Sequence, residues 1–343
     1  MKSVKILFRL DAASFLGLGH FYQSMALAEE FQNRGVKVLF AMKEFESNIL
    51  PWVSSNGIKV FMIPPDAEEE QELNLLIQFI LSNSIDCIII DNHALGYEYT
   101  SRLRSKKILV IQIDDEGTRQ FGCDLLINYN IYAPYLDYNI KPYTKCLFGP
   151  QYAILRRQFG AKVKRQNFDT KLLVTMGGGY ARGEVIKVLN ALKLIGNATL
   201  RKIEPQILIG PAYPSPESLV AEYSDIPVKF HLSLKNMRAI MEKTEFAICG
   251  GGGTLYELSR MGLPSIIIVL DENQKLNAYY FEKFGISKTL GWYKDVSAEG
   301  IVDAINCWID SPELLKKHRE KALQLVDGKG TIRIVDEILG LLD

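Results

Sequence analysis

The amino-acid sequence predicts an α/β protein made of two doubly wound, Rossmann-like domains that face each other across a cleft. The first observation is length, because 343 residues exceed one ordinary core and suit two domains of roughly 150 residues each. The second is that short apolar runs alternate with helical patterns, as in parallel sheets that are covered on both faces. The third is that this alternation stops once, in a polar and basic stretch, and then starts again.

The first half contains six predicted strands, most of them near-continuous apolar runs. They are VKILFRL (4–10), VKVLFAM (36–42), IKVFMI (58–63), DCIIID (86–91), KILVIQI (107–113) and DLLINYN (124–130). Between the first two, an apolar stripe of Phe21, Met25, Ala28 and Phe31 predicts a helix that ends near Gly35. The stretch PPDAEEEQELNLLIQFI begins with prolines and carboxylates, which is typical of a helix N-terminus.

The domain boundary is predicted in the basic, polar stretch LRRQFGAKVKRQNFDT at residues 155–170. This places an N-terminal domain at residues 1–160 and a C-terminal domain at residues 166–343. The second domain repeats the pattern with the strands KLLVTM (171–176), PQILIG (205–210), PVKFHL (227–232), EFAICG (245–250) and PSIIIVL (264–270). Its last segment, TIRIVDEILGLLD, is expected to form a terminal amphipathic helix.

Composition excludes several classes of protein. Lysine plus arginine and aspartate plus glutamate both total 40, so there is no global basic field to attract nucleic acid. The five cysteines have no regular spacing, and we interpret them as reduced, mostly buried side chains. No apolar run approaches the roughly 20 residues that span a bilayer, and Arg9 and Asp11 interrupt the apolar N-terminus. A cytoplasmic protein without a membrane span is expected.

Three glycine-rich turns follow predicted strands, and ligands collect at the carboxyl ends of strands in open parallel sheets. The turns are GLGH with Gly17 and Gly19, MGGGYARGE with Gly177 and Gly178, and CGGGGTLYELSRM with Gly251, Gly252, Gly253 and Thr254. Glycine allows close backbone approach, and the following helix N-terminus favours an anion. None is a Walker A motif, and Tyr22 stands where a dinucleotide fingerprint needs its third glycine, so a nicotinamide cofactor is unsupported. One such turn alone is as consistent with a tight structural turn as with a binding site.

The third turn carries the predicted nucleotide site. Its helix N-terminus suits a diphosphate, and Glu257, about one turn in, can accept hydrogen bonds from a ribose. The alternative for Glu257 is a favourable charge in a first helical turn. After the next strand, Asn273, Gln274 and Asn277 are predicted to reach phosphate or sugar.

His20, at a strand-to-helix turn, is the predicted general base. The positive end of the helix dipole is expected to lower its pKa, leaving a neutral imidazole that faces the cleft. A capping or packed histidine is the alternative. At other strand ends, Asp91 and His93 are expected to line the same cleft, and Asp114 and Asp115 to hold a sugar or orient His20.

His231 and His318 are interpreted as structural histidines. A metal site beside the two aspartates is unsupported, because no histidine or cysteine spacing completes it. No cofactor is predicted.

Five segments, in order, resemble the PseG/SpsG-like UDP-sugar hydrolases of pseudaminic acid and spore-coat polysaccharide biosynthesis. They are GLGHFYQSMALAEEF, IIIDNH, VIQIDDEGTRQFGCDLLINYN, LFGPQYAILRRQF and GGGGTLYELSRMGLPSIIIVLDENQKLNA. The last is also similar to the donor-binding half of MurG-like glycosyltransferases. The resemblance covers nearly the whole chain. It departs at Gln23, where the family usually has arginine, at His93, where it commonly has tyrosine, and at Tyr256, where it has Trp or Asn.

The resemblance implies a GT-B fold with a UDP-sugar between the domains, its diphosphate and ribose held by the C-terminal half. Water activated by His20 would attack the anomeric carbon opposite UDP, with inversion and without a metal. The sequence therefore predicts a nucleotide-sugar hydrolase whose partner is a small, UDP-linked amino sugar. Two alternatives stay open: an inverting GT-B glycosyltransferase that uses an acceptor hydroxyl, and a nucleotide-sugar-binding protein without catalysis.

Overall fold

The structure is a computed structural model that describes residues 4–12, 18–46, 49–161, 163, 170–178, 182–210, 213–232, 234 and 236–342. Internal contacts divide the chain into two compact units. The N-terminal unit comprises Met1–Arg157 and Lys329–Asp343, and the C-terminal unit comprises Gln158–Gly328. Each unit contains a parallel sheet with helices packed against it.

Within the described residues, the N-terminal sheet has seven strands in the order β3-β2-β1-β4-β5-β6-β7. Their bounds are β1 Lys5–Leu10, β2 Lys37–Met42, β3 Lys59–Met62, β4 Cys87–Asp91, β5 Leu109–Ile113, β6 Leu125–Asn128 and β7 Lys145–Phe148. The described part of the C-terminal sheet has six strands in the order β10-β9-β8-β11-β12-β13. Their bounds are β8 Thr170–Thr175, β9 Gln206–Ile209, β10 Lys229–Leu232, β11 Thr244–Gly250, β12 Ser265–Val269 and β13 Ser287–Trp292.

Helices connect the strands in the alternating pattern that the sequence predicts. Over the described residues they are α1 Gly19–Asn33, α2 Ile49–Ser55, α3 Glu69–Asn83, α4 Tyr97–Ser105, α5 Arg182–Ile195, α6 Asn197–Ile203, α7 Pro216–Glu222, α8 Met237–Met241, α9 Thr254–Arg260, α10 Lys275–Lys283, α11 Ala298–Ile309, α12 Pro312–Leu325 and α13 Gly330–Gly340. Short 3-10 turns lie at Ala133–Tyr135, Pro150–Tyr152, Arg157–Phe159 and Glu272–Gln274. No helix in the described part of the chain is both long and apolar enough to cross a membrane.

All eleven predicted strands are present, and two edge strands were not predicted. These two strands, β7 (KCLF) and β13 (SKTLGW), mix polar with apolar residues. The pairing of β13 with β12 also contains a register shift. Edge strands pair on one side only and need no continuous apolar run, so hydrophobic pattern alone does not detect them.

The terminal helix α13 belongs to the N-terminal unit, which corrects the predicted C-terminal domain of residues 166–343. Ile334, Val335 and Ile338 are fully buried in the same core as helix α1. Gly330 lies so close to the backbone of Ala153 that a Cβ there would be 2.3 Å from its carbonyl oxygen. The apolar face of α13 thus finds its core in the first unit, although the chain reaches it last.

Strand β1 shows how the N-terminal sheet is covered on both faces. Ile6, Phe8 and Leu10 point into the core that contains α1, and Leu7 points into the opposite core that contains α3. Arg9 shares the face of Leu7 and is 2% exposed. Its guanidinium binds Glu72 on α3, with Nε 2.8 Å from Oε1, and Asp11, with Nη1 2.8 Å from Oδ1. This buried ion pair fixes the carboxyl end of β1 against α3.

Candidate active site

A polar pocket lies at the carboxyl ends of β1, β4, β5 and β6 in the N-terminal unit. β1 and β4 are neighbours in the sheet. Strands β2 and β3 lie on one side of this pair and strands β5, β6 and β7 on the other, so the strand order reverses between β1 and β4. This is the switch point at which doubly wound sheets bind ligands. The lining residues of the pocket are His20, Gln23, His93, Ile113, Asp114, Asp115, Asn128, Tyr129 and Asn130.

Strand alternation directs Asp91 toward helix α1. Cys87 and Ile89 of β4 point into the α1 core, and side chains two residues apart share a face, so Asp91 emerges on that same face. His20 is the second residue of α1, directly above this strand end. The two residues are 71 positions apart in the sequence, yet the side-by-side pairing of β1 and β4 brings them together.

The carboxylate of Asp91 is 1% exposed and is surrounded by donors from α1. His20 donates from Nδ1 to Oδ1 over 2.7 Å, Ser24 donates to Oδ2 over 2.9 Å, and the amide of Gln23 donates to both oxygens. Gln23 is in turn fixed by the hydroxyl of Tyr129, 3.0 Å from its Oε1. Asp91, expected to line the cleft, is the residue that orients His20, a role that was predicted for Asp114 or Asp115.

His93 contacts His20 directly. The two Nε2 atoms are 3.1 Å apart, and the rings meet edge to face with centroids separated by 4.7 Å. Both side chains are about one-quarter exposed. The prediction that His93 lies at the same site as His20 agrees with this arrangement within the N-terminal unit.

Asp114 and Asp115 serve different partners. Asp114 is 1% exposed; its Oδ1 accepts hydrogen bonds from the backbone of Glu116 and Gly117, and its Oδ2 lies 3.1 Å from Arg119. Asp115 Oδ1 lies 3.0 Å from His93 Nε2 but makes no hydrogen bond of acceptable angle. Burial opposes the ionisation of Asp115 and raises the pKa of its carboxyl group. Burial acts in the same direction on Asp114, but interactions with His93, the backbone of Gly117 and Arg119 outweigh it and lower the pKa of Asp114.

The predicted neutral His20 with a lowered pKa is wrong. Burial disfavours the imidazolium, but the charge and hydrogen bond of Asp91 outweigh burial and raise the pKa of His20 to about 9. The charges of Asp115 and Asp114 act in the same direction. A helix dipole contributes only a partial charge, and a full carboxylate at 2.7 Å exceeds it.

Several residues that build this pocket were not predicted from the sequence. Asn128 is the last residue of β6, Tyr129 and Asn130 follow it, and Arg119 binds the carbonyl oxygen of His93 and its Nδ1. The signal for the first three was present, because they end the predicted strand DLLINYN at the same sheet edge as the other site residues. Among the glycines predicted here, Gly17 lies outside the described residues, and Gly19 begins α1.

In the C-terminal unit, two glycine turns lie side by side because β8 and β11 are paired. Gly177 follows β8 with φ +86°, and its missing Cβ would be 3.9 Å from the hydroxyl of Thr254 at the start of α9. Gly210, after β9, lies so close that a Cβ would be 2.6 Å from the carbonyl oxygen of Gly177. Gly178 borders the same contact. The close approach requires glycine at position 210, and the positive φ favours glycine at position 177.

The turn of Gly251, Gly252 and Gly253 is supported by Gln274. Its Oε1 accepts hydrogen bonds from the backbone of Gly251 over 2.8 Å and of Leu270 over 3.1 Å. Gln274 was predicted to reach phosphate or sugar; in the structure, its side-chain amide oxygen shapes the turn. The turn thus owes its conformation partly to a side chain 23 residues later.

The other predicted residues of this unit occupy different environments. Asn277 is 5% exposed, and its Oδ1 accepts a hydrogen bond from the buried Tyr256 over 2.7 Å, so the structure places it in the interior. Glu257 is half-buried in the first turn of α9, and Asn273 is exposed. Glu257 therefore remains next to the glycine turn, as predicted.

No group of three or more His, Cys, Asp or Glu side chains within the described segments is arranged to hold a metal ion. The two histidines and three aspartates of the N-terminal pocket instead bind one another and Arg119. The chemistry available there is proton transfer by a carboxylate-paired imidazole.

Residues 185–331 match the glycosyltransferase family 28 C-terminal domain. The Bacillus subtilis spore coat polysaccharide biosynthesis protein SpsG is 24% identical over 331 residues, covering 93% of each chain. The UDP-2,4-diacetamido-2,4,6-trideoxy-beta-L-altropyranose hydrolase of Campylobacter jejuni is 26% identical over 204 residues, covering 57% of this chain and 69% of the hydrolase. The chain is homologous to both proteins. The resemblance predicted from the sequence is confirmed.

An uncharacterised Methanocaldococcus jannaschii protein, MJ1062, is 23% identical over 290 residues, and the match covers 79% of this chain and 57% of that protein. Among solved structures, MurG of Acinetobacter baumannii superposes with a TM-score of 0.70 at 14% identity, covering 98% of this chain and 99% of MurG. This likeness concerns the fold, which is GT-B, as predicted.

Proposed function

We propose that this protein hydrolyses a UDP-activated amino sugar at its anomeric carbon, with inversion and without a metal ion. The products are UDP and a free sugar for a surface glycan, of the pseudaminic-acid type or of a spore-coat polysaccharide. His20 is the general base, and the glycine turns of the C-terminal unit bind the nucleotide.

The observation that carries the proposal is the contact between Asp91 and His20. A buried carboxylate 2.7 Å from Nδ1 fixes the imidazole as a proton carrier, and Nε2, which also contacts His93 at 3.1 Å, is the atom that exchanges a proton at the pocket. Asp91 also stabilises the imidazolium that forms when the base takes a proton from water, as the aspartate of a hydrolytic triad does.

In the proposed reaction, the oxygen of water forms a bond to the anomeric carbon while the bond from that carbon to the diphosphate oxygen breaks. The electron pair leaves with UDP, and the proton of water passes to Nε2 of His20 and then to solvent. One base and one displacement give inversion of configuration. Backbone N–H groups of the glycine turn at Gly251–Gly253 stabilise the leaving diphosphate.

The relatives support the nucleotide and the sugar class. One homologue is named as the hydrolase of a UDP-linked diacetamido sugar, and another as a spore coat polysaccharide biosynthesis protein. Gln23 and His93 differ from the residues that the resemblance leads us to expect in such hydrolases. We therefore propose an amino sugar as the substrate class and leave its substituents to experiment.

The test is incubation with UDP-linked amino sugars and no acceptor, followed by 1H NMR. The proposal expects free sugar and UDP to accumulate together, with the inverted anomer formed first. If the UDP-sugars bind but none is cleaved, the protein is a binding protein.

A second candidate is an inverting glycosyltransferase, favoured by the family 28 match over residues 185–331. The same base would then deprotonate an acceptor hydroxyl. Adding glycan acceptors to the NMR assay separates the two, because cleavage that depends on an acceptor identifies a transferase and overturns the hydrolase.

A further inference from the structure

Two histidines in contact cannot both carry a proton on the facing nitrogens. His20 Nε2 and His93 Nε2 are 3.1 Å apart, so one nitrogen donates and the other accepts. The neighbours of each ring decide which is which.

Arg119 fixes the tautomer of His93. Its Nη2 lies 3.2 Å from His93 Nδ1, and it also binds the carbonyl oxygen of His93. A guanidinium only donates, so Nδ1 of His93 is the acceptor and its proton is on Nε2. Oδ2 of Asp114 lies 3.1 Å from Nη2 of Arg119 and forms an ion pair with it, without hydrogen-bond geometry.

The proton on His93 Nε2 points at His20. Asp115 Oδ1 is equally near, at 3.0 Å, but its angle does not make a hydrogen bond, whereas the contact with His20 Nε2 does. On the other side of His20, Nδ1 donates to Asp91. The result is a directed array from Arg119 through His93 and His20 to Asp91.

We propose that His93, oriented by Arg119, is a positioning residue whose Nε2–H faces Nε2 of His20 and opposes protonation of that nitrogen, against the effect of Asp91. Protonation of His20 at Nε2 would set two N–H groups against each other at 3.1 Å, so His93 must release its hydrogen bond first. Its alternative acceptor is Asp115, which is already within 3.0 Å. The role in water activation rests on the proposed hydrolysis; the array itself does not.

The groups facing this pair act in opposite directions. Asp91 from β4 and Asp114 and Asp115 after β5 favour the imidazolium of His20, and they act together to raise its pKa. Arg119, 3.2 Å from Nδ1 of His93, and the N–H of His93 oppose a second proton on the pair. Asp114, whose Oδ2 lies 3.8 Å from Nδ1 of His93, and Asp115 act against them and favour a charged His93. Tyr129, which also lines the pocket, donates from its hydroxyl to Gln23. The two histidines therefore titrate as a coupled unit.

The experiment is 15N NMR of histidine-labelled protein without substrate, titrated with pH. The chain has four histidines, which single substitutions assign. Above about pH 9, where most of His20 is neutral, we expect Nδ1 of His93 to show the shift of an unprotonated nitrogen and Nε2 that of a protonated one. The reverse pattern would overturn the proposal.

Two variants complete the test. His93→Leu removes the donor, and we expect the His20 midpoint to rise by about one pH unit or more. His93→Gln keeps an N–H donor and an acceptor for Arg119, so its midpoint should stay close to that of the wild type. The proposal fails if His93→Leu titrates like the wild type, or if both variants shift equally. The titration contains no substrate, so its result does not depend on whether the protein hydrolyses a UDP-sugar. A failure of the proposed hydrolysis and a failure of the proposed role of His93 can therefore be told apart.

Discussion

His20 Nδ1 lies 2.7 Å from the buried carboxylate of Asp91, on the strand next to the one that His20 follows. This relationship places a strongly basic imidazole at the switch point of a doubly wound sheet. It changes the expected chemistry of His20, because the carboxylate raises rather than lowers the pKa of the ring. The predictions below follow from it and from the buried contacts that support each unit.

Replacing His20 by glutamine should lower kcat by roughly two to four orders of magnitude while substrate binding is retained, because a general base contributes about that much. UDP release in a continuous assay measures kcat, and calorimetry measures binding. The matched control is His231→Gln on β10, where the histidine pairs with Gln206 in the other unit. Equal activity of the two variants would remove His20 from the mechanism.

The rate should increase with pH. A base must be unprotonated, and a pKa of about 9 leaves only about one His20 in a hundred neutral at pH 7. We expect kcat/KM to rise about tenfold per pH unit and to level near pH 9.

Asp91→Asn should shift the rise of kcat/KM to lower pH, because the substitution removes the charge that favours the imidazolium of His20. The control is Asp336→Asn, an exposed aspartate that pairs with Arg34. Two results would contradict the pairing of His20 with Asp91. One is a wild-type kcat/KM that levels near the ordinary pKa of histidine, and the other is a pH profile that Asp91→Asn leaves unchanged.

Gly210→Ala should weaken nucleotide binding. Its Cβ would lie 2.6 Å from the carbonyl oxygen of Gly177 and 3.3 Å from Cα of Gly178, so the glycine turn after β8 must shift. UDP is expected to raise the melting temperature of the wild type and to raise that of Gly210→Ala much less. Gly183→Ala is the control, because open space surrounds its Cβ position. An undiminished UDP effect in Gly210→Ala would show that this turn does not contact the nucleotide.

Glu72→Ala should destabilise the N-terminal unit by about 3 kcal/mol or more, since it leaves the buried Arg9 without its main partner. Glu70→Ala, on the same helix, removes an exposed ion pair with Arg102 and should have little effect. Urea unfolding followed by circular dichroism compares the two. Similar midpoints for both variants would mean that the Arg9–Glu72 pair does not stabilise the fold.

Features that depend only on neighbouring residues in the chain could be predicted from the sequence. Apolar runs identified every described strand of both sheets except the edge strands β7 and β13, and glycine clusters after strands identified the turns at Gly177 and Gly251. His20 was found because a histidine at a strand-to-helix turn is unusual in a chain that has four.

Features that depend on strand order were not predictable. The partner of His20 lies 71 residues away, and only the pairing of β1 with β4 and the alternation of β4 bring it there. The pKa of His20 was misjudged for the same reason, since its sign depends on that partner. Helix α13 was placed in the wrong unit because its apolar face fits either core until α1 is known to receive it.

Hydrolysis of a UDP-linked amino sugar in H2 18O tests most directly whether His20 of the N-terminal unit activates water for attack on the anomeric carbon. Mass spectrometry at early times should find 18O in the anomeric hydroxyl of the sugar and none in UDP, and NMR should find the inverted anomer. Appearance of 18O in the β-phosphate of UDP, or a sugar of retained configuration, would contradict attack on that carbon by water activated at His20.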